Sequence, residues 1–298
     1  GDAWIEQRQI KDVMLFLQGH GISAGLAVKI YKQYGDQSIA LVSRDPYRLA
    51  RDIFGIGFRT ADKIARDLGL PPDSPGRIGA GLAHTLNTAT EEGHVYLPRT
   101  ELVQQAAEML EVPPEVVDEA VTRLAQQGDL MIEIVPDRLE RIEACYIPPL
   151  YHSEKGAASR LRALIESPVS RLADLRRAGV QAMPHGAGGV DLTPQQAEAV
   201  RLALTNKVSV LTGGPGTGKT TTLRALIDVL VRTRHRFLLA SPTGRAAKRL
   251  GEATGQPART IHRMLGFSSA EHGFTYNEEN PLDADLIVID EVSMLDLV

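Results

Sequence analysis

Eight consecutive residues, Gly213-Gly214-Pro215-Gly216-Thr217-Gly218-Lys219-Thr220, follow the pattern G-x-x-x-x-G-K-[ST]. The chemistry this spacing serves is the holding of a nucleoside triphosphate. Main-chain N–H groups can wrap phosphate oxygens only where no Cβ blocks the approach and a positive φ costs nothing, which the four glycines allow. Lys219 brings a positive charge to the β- and γ-phosphates, and Thr220 offers a hydroxyl to Mg²⁺. A helix entered through Thr221 points its positive end at the anion. Residues 213–221, Pro215 and Thr217 among them, are the candidate ATP site. Farther along, Asp285-Leu286-Ile287-Val288-Ile289-Asp290-Glu291 is an apolar run ending in two carboxylates. At the end of a parallel strand, Asp290 can hold the Mg²⁺ shell through water while Glu291 polarises the attacking water. Lys219, Asp290 and Glu291 are thus the candidate catalytic residues, and Thr220 and Asp290 the candidate metal ligands.

Such residues need a strand to deliver the loop and a helix to receive it. Lys207-Val208-Ser209-Val210-Leu211-Thr212 is a short β-branched run expected to be a buried strand, and Leu223, Leu226, Ile227, Leu230 and Val231 recur with helical spacing behind the loop. Ahead of both stands Leu192-Thr193-Pro194-Gln195-Gln196, where Thr193 suits an N-cap and Pro194 the first helical position. A glutamine placed here can pair with an adenine edge, although many glutamines at helix starts are simply solvated. Between Val229 and Arg263 the charge is one-sided: seven Arg and Lys248 against the single acid Glu252. That stretch fits a phosphate backbone or a solvated helical face equally well.

Taken together, these stretches resemble the ordered motifs of superfamily 1 helicases. Residues 192–196 resemble the Q motif, 213–220 motif I, Ser241-Pro242-Thr243-Gly244-Arg245-Ala246-Ala247-Lys248-Arg249-Leu250 motif Ia, and Asp290-Glu291-Val292-Ser293-Met294 motif II. With Thr260-Ile261-His262-Arg263-Met264-Leu265 after motif Ia, the match over 191–298 is nearest to the RecD-like, 5′-to-3′ group. The resemblance implies that Gln196 reads adenine, that Thr243, Gly244 and their neighbours hold a single-strand phosphate with Arg245 and Lys248 as charge partners, and that Thr260 and His262 are further strand contacts. His262 also has a plain reading as a helix residue satisfied locally. The implied activity is ATP-dependent 5′-to-3′ translocation on single-stranded DNA in repair or recombination, with single strands and single-/double-strand junctions as partners and a bacterial, nucleoid-associated cytoplasmic setting.

The first 70 residues carry a repeat. Gly21-Ile22-Ser23-Ala24-Gly25-Leu26-Ala27-Val28-Lys29-Ile30 aligns at an offset of 34 with Gly55-Ile56-Gly57-Phe58-Arg59-Thr60-Ala61-Asp62-Lys63-Ile64, and Gly, Ile, Ala, Lys and Ile coincide. Each copy reads as a helix-hairpin-helix, whose turn can offer N–H groups to a DNA phosphate without reading a base, or can be only a packing unit. This points to the longer, stand-alone RecD-like type. Residues 76–150 read as helices followed by a two-stranded hairpin, a winged-helix-like unit without basic residues in its second helix and so more a scaffold than a binder. The expected organisation is 1–75 tandem helix-hairpin-helix, 76–150 winged-helix-like, 151–190 helical connector and linker, and 191–298 a first RecA-like α/β P-loop domain, incomplete at its C-terminus.

Composition is that of an ordinary folded chain: 298 residues, 43% apolar, net charge −4 and one cysteine, Cys145, which excludes an internal disulfide. No apolar run reaches membrane length. The chain lacks an initial Met and stops shortly after Glu291, so it is expected to be a piece of a longer protein, poor in ATP turnover by itself because an arginine from a second motor domain would be missing. Two other readings stay open, a different P-loop ATPase of the AAA loader or remodeller kind and a DNA adaptor with a nucleotide switch. No carboxylate cluster outside residues 290–291 suggests a nuclease.

Overall fold

The computed structural model describes residues 2–137, 140–178, 192–214, 216–268 and 273–297, with side chains from residue 10 onward except those of 137, 176 and 178. The expected connector at 181–190 and Pro215 lie outside the described residues. The chain divides into two compact units, Gly1–Ser153 and Glu154–Val298.

In the first unit the repeat becomes two helix-hairpin-helix copies. Helices α1 (Asp2–Gly19) and α2 (Ala24–Tyr34) form the first; α3 (Ser38–Arg44) links it to α4 (Arg48–Asp52) and α5 (Phe58–Asp67), which form the second. The residues that coincide in the alignment are the ones that pack: Ile22 and Ile56, Ala27 and Ala61, Ile30 and Ile64 are all at most 3% exposed. The coincident glycines turn the chain, Gly21 at φ +78° and Gly55 at φ +100°, where an L side chain is strained. The equivalent lysines are reciprocal. Lys29 of the first copy donates to the Phe54 carbonyl of the second copy's turn (3.3 Å), and the Lys63 ammonium lies beside Gly21 in the first.

Helix α5 also faces a second core. Phe58, Ala61 and Ala65 pack with residues of α6 (Pro75–Glu91), β1 (Leu97–Pro98), α7 (Arg99–Leu110) and α8 (Pro114–Gln127). Strands β2 (Met131–Asp137) and β3 (Glu140–Tyr146) then form an antiparallel hairpin, and β1 pairs with β3. The order helix, strand, helix, helix, strand, strand is that of a winged helix. A buried polar cluster joins its helices to α5: Arg77, 2% exposed, donates to both Asp62 carboxylate oxygens (2.8 and 3.2 Å) and to the carbonyls of Pro72 (2.7 Å) and Leu110 (2.8 Å). Tyr47 donates to the same carboxylate at 2.8 Å. Arg99 does similar work at the surface, reaching Asp118 at 2.6 Å and Thr122 at 2.7 Å to tie α7 to α8. The boundary between units falls within α9 (Pro148–Glu166).

The second unit has α10 (Ala173–Ala178), α11 (Pro194–Thr205), α12 (Lys219–Arg232), β4 (Phe237–Ser241), α13 (Gly244–Thr254), β5 (Ala258–Thr260), α14 (Ile261–Leu265), a small β6 (Phe267–Ser268) and β7 (Gly273–Phe274) ribbon, and β8 (Leu286–Ile289). Its central sheet is parallel, in the order β5-β4-β8. Ile227 on α12 and Leu250 on α13 bury against Leu239 of β4. The apolar strand expected before the two carboxylates is present as β8, but the buried strand expected at residues 207–212 is not. That segment pairs with no strand among the described residues, and Val210 and Leu211 are 87% and 48% exposed. A β-branched run takes strand form only when a neighbour supplies ladder hydrogen bonds and a face to bury; here it has neither, and the outer edge of β8 stays bare among the described residues.

Candidate functional site

Topology gathers the phosphate-binding residues and the carboxylates at one edge. Helix α12 is followed by β4 after residues 233–236 only, so the helix must run antiparallel to the strand. Its N-terminus, with Lys219 and Thr220, therefore lies toward the C-terminal end of the sheet. Asp290 stands at that same end, held by its N–H to the Ala240 carbonyl (2.9 Å), and Glu291 follows in a left-handed conformation, φ +55°. Helix N-terminus and strand C-terminal edge together are where an α/β sheet receives an anionic ligand.

The loop has the shape that its glycines permit. Gly216 and Gly218 adopt φ of +74° and +83°, and Gly218 serves as N-cap of α12. A Cβ on Gly213 would meet the Thr217 hydroxyl at 2.7 Å, and one on Gly218 would overlap the Gln196 amide. Lys219 Nζ donates to the carbonyls of Gly213 (2.5 Å) and Gly214 (2.9 Å), so the ammonium spans the loop that it would share with a phosphate. Thr217 Oγ1 donates to the Gly214 carbonyl at 2.9 Å. Thr220 is exposed, and Thr221 half-buried.

Thr220 and Asp290 contribute one oxygen-bearing side chain each. Mg²⁺ characteristically takes one or two protein oxygens and completes its octahedron with phosphate and water, so this small donor set fits that ion. It would not make a self-sufficient metal cage, and no group of three or more His, Cys, Asp or Glu side chains able to hold a metal occurs among the described residues.

Gln196 is brought to the loop, but its amide is engaged. Its Oε1 accepts from the Thr193 N–H (2.9 Å), its own N–H donates to Thr193 Oγ1 (3.3 Å), and its Nε2 donates to the Thr217 carbonyl at 3.3 Å. The first two bonds are a capping box, whose T-x-x-Q signature is visible in the sequence. The third ties the start of α11 to the phosphate loop. Adenine recognition by Gln196 therefore requires the amide to exchange partners.

The proposed strand contacts assemble beside this edge. Ser241 at the end of β4 is in register with Thr260 at the end of β5, which sets the starts of α13 and α14 side by side. Thr243 Oγ1 caps α13 by accepting from the Ala246 N–H (3.2 Å), and Thr260 Oγ1 caps α14 by accepting from the Arg263 N–H (3.3 Å). Gly244, Arg245 and Lys248 are exposed on α13, Lys248 within 3.8 Å of Glu252. His262 is exposed and lies against two rings, Phe267 at 5.5 Å and Phe274 at 6.0 Å between centroids. Those two phenylalanines, 48% and 44% exposed, were not anticipated from sequence; an isolated aromatic on each side of a loop is a weak signal.

The lone cysteine has no part in this. Cys145 is fully buried in β3, and burial pushes its thiol up to about 12.

Comparison with known proteins places both units. Residues 6–96 match the family described as ATP-dependent RecD2 DNA helicase HHH domain, and residues 196–298 match an AAA domain family. The ATP-dependent RecD2 DNA helicase of Deinococcus radiodurans is 34% identical over 301 residues, covering 98% of this chain and 41% of that protein. The RecBCD enzyme subunit RecD of Haemophilus influenzae is 38% identical over 129 residues, 35% of this chain and 20% of that protein. Its counterpart from Mycobacterium tuberculosis is 31% identical over 245 residues, 74% and 38% respectively. The chain thus spans less than half the length of these relatives. Over nearly its whole length the chain is similar to a RecD2 helicase, with a match to the RecD2-type helix-hairpin-helix domain ahead of a match to an AAA domain.

Proposed function

We propose that the protein of which this chain is a part is an ATP-dependent DNA helicase moving 5′ to 3′ on single-stranded DNA, working in recombination or repair in the bacterial cytoplasm. The observation that carries this reading is the shared edge of the parallel sheet, where the start of α12, the Asp290-Glu291 pair and the two threonine-capped helix starts of α13 and α14 converge. Nucleotide chemistry and a strand-sized row of phosphate partners on one edge support a motor in which one acts on the other.

In this reading Lys219 leaves the Gly213 and Gly214 carbonyls for the β- and γ-phosphates, and the N–H groups of residues 213–214 and 216–221 wrap the rest. Thr220 and Asp290 would hold Mg²⁺, which when bound would supply Lewis-acid stabilisation of phosphoryl charge. Glu291 orients the water, and Gln196 turns from Thr217 to the adenine. Thr243, Gly244, Arg245, Lys248, Thr260 and His262 track the strand by its phosphates, so binding weakens as salt rises. The hairpins of the first unit add phosphate contacts through turn N–H groups, with the winged helix as scaffold. A domain organisation of 1–75, 76–150, 151–190 and 191–298 accompanies this reading.

The test is ATP turnover by the full-length protein and its Lys219→Ala variant, with and without single-stranded DNA, followed by unwinding of duplexes bearing a 5′ or a 3′ overhang. The expected result is DNA-stimulated turnover lost in the variant, with unwinding from the 5′ overhang alone. Turnover indifferent to DNA would refute the helicase reading in favour of another ATPase class.

A further inference from the structure

Phe54 is 93% exposed, the most exposed of the large apolar side chains in the described structure. Its turn does not let it retract. The Ile56 N–H donates to the Ile53 carbonyl (3.1 Å), both isoleucines are buried at 6% and 3%, and Gly55 at φ +100° closes the bend between them. The two core residues fix the turn, and the ring between them projects outward. At the equivalent position of the first copy stands His20, which is folded back: its ring lies 4.5 Å from that of Phe16, and its Nδ1 is 2.8 Å from the Phe16 carbonyl. One tip of the tandem pair is closed and the other open.

The surroundings of the open tip are cationic. Lys29 Nζ lies 5.8 Å from the Phe54 ring centroid as well as bonding its carbonyl, and it has no carboxylate partner among the described residues. The nearby acids are neutralised, Asp52 by Arg48 at 2.8 Å and Asp45 by Arg51 at 2.6 Å. An open cleft of about 640 Å³ runs along residues 50–57 beside the ring. An exposed aromatic face, an adjoining ammonium and acids already paired with arginines form the combination on which unstacked bases rest, with the phosphate next to them on the cation.

We propose that Phe54 is a base-stacking residue by which the second hairpin recognises DNA that presents an unpaired or terminal base, such as a strand end or a single-/double-strand junction, with Lys29 on the adjoining phosphate. This rests on the reading of the hairpins as a DNA surface and adds selectivity to it. A base inside a continuous duplex is already stacked and cannot use the ring; a base at an end can.

The test measures binding of the full-length protein, without nucleotide, to a fluorescent duplex with a short unpaired overhang carrying 2-aminopurine at the junction, and to a covalently closed duplex circle. Phe54→Ala is expected to weaken junction binding on the order of tenfold and to abolish the change in 2-aminopurine emission, with circle binding unaffected. Phe54→Leu, which keeps apolar bulk without a π face, is expected to behave as alanine does, and Phe54→Trp as wild type. Lys29→Ala combined with Lys63→Ala is expected to weaken both DNAs. Junction binding that is unchanged in Phe54→Ala but lost in the lysine variant would overturn stacking and leave the hairpins as a phosphate surface. Indifference of both variants would overturn the hairpin reading itself.

Discussion

Replacing Arg77 by methionine isolates the buried cluster that fastens the second hairpin's α5 to the winged helix. The substitution keeps the apolar stem and removes four hydrogen bonds, two to Asp62 and one each to the carbonyls of Pro72 and Leu110. Removing one partner of a buried ion pair costs about 3–5 kcal/mol, because the remaining charge stays buried. Asp62 keeps the Tyr47 hydroxyl at 2.8 Å and the half-exposed Arg66 at 3.1 Å, which places the expected loss at the lower end, about 3 kcal/mol. For a unit of this size that lowers the melting temperature by roughly 6–12 °C. The pH dependence sharpens the test. Burial works to raise the Asp62 carboxyl, but the hydrogen bonds from Arg77 and Tyr47 and the guanidinium charge outweigh it, and the folded value is lowered. A lowered folded value contributes stability above the ordinary carboxylate range that is lost as pH falls through the folded value. In Arg77→Met burial prevails, the folded value rises, and protonation relieves the buried charge. The gap between variant and wild type, followed by circular dichroism melts from neutral pH down toward about pH 4, should therefore narrow. A variant within about 1 kcal/mol of wild type at neutral pH, or a gap that widens in acid, would refute the reasoning.

Gly218→Ala places a Cβ against the Gln196 amide at a backbone φ of +83°, and fluorescent-nucleotide titration should show affinity lost while the far-ultraviolet spectrum of the chain is retained. Gly81→Ala brings a Cβ to 2.7 Å from Leu110 Cδ1 inside the winged-helix core, an overpacking of about 1–3 kcal/mol that Leu110→Val should partly relieve in thermal melts. Gln196→Ala removes one half of the capping box and the bond to Thr217, so about 1 kcal/mol of local helix stability should be lost together with nucleotide affinity; unchanged affinity would dissociate the glutamine from the site. Cys145, buried and with a raised thiol value, should resist thiol reagents in the native protein and react only in denaturant.

What could be read in advance follows from where each signal resides. The alignment of Ile22 with Ile56 and Ile30 with Ile64 is a statement about burial, and burial is what repeats in the structure. Strand β8 was legible because its pattern ends in two carboxylates, and the start of α12 because Gly218 and Lys219 specify a phosphate loop. The run at 207–212 has the composition of a strand, yet strand formation needs a partner that composition does not name. The N-cap at Thr193 was readable, but the part of Gln196 in the capping box was not read from it, and its bond to Thr217 depends on a loop 21 residues away. Phe54 gave no sign of exposure, since an aromatic next to a glycine turn is as often buried. Only the burial of Ile53 and Ile56 on either side determines that it points out.

The bare outer edge of β8 has a consequence of its own. Among the described residues its N–H and C=O groups meet no further strand, while residues 207–212 of the same chain are a β-branched run outside the sheet. Addition of that run to β8 would cover the edge and shelter Val210 and Leu211 in one step, because a ladder supplies both the hydrogen bonds and the face that such a run needs.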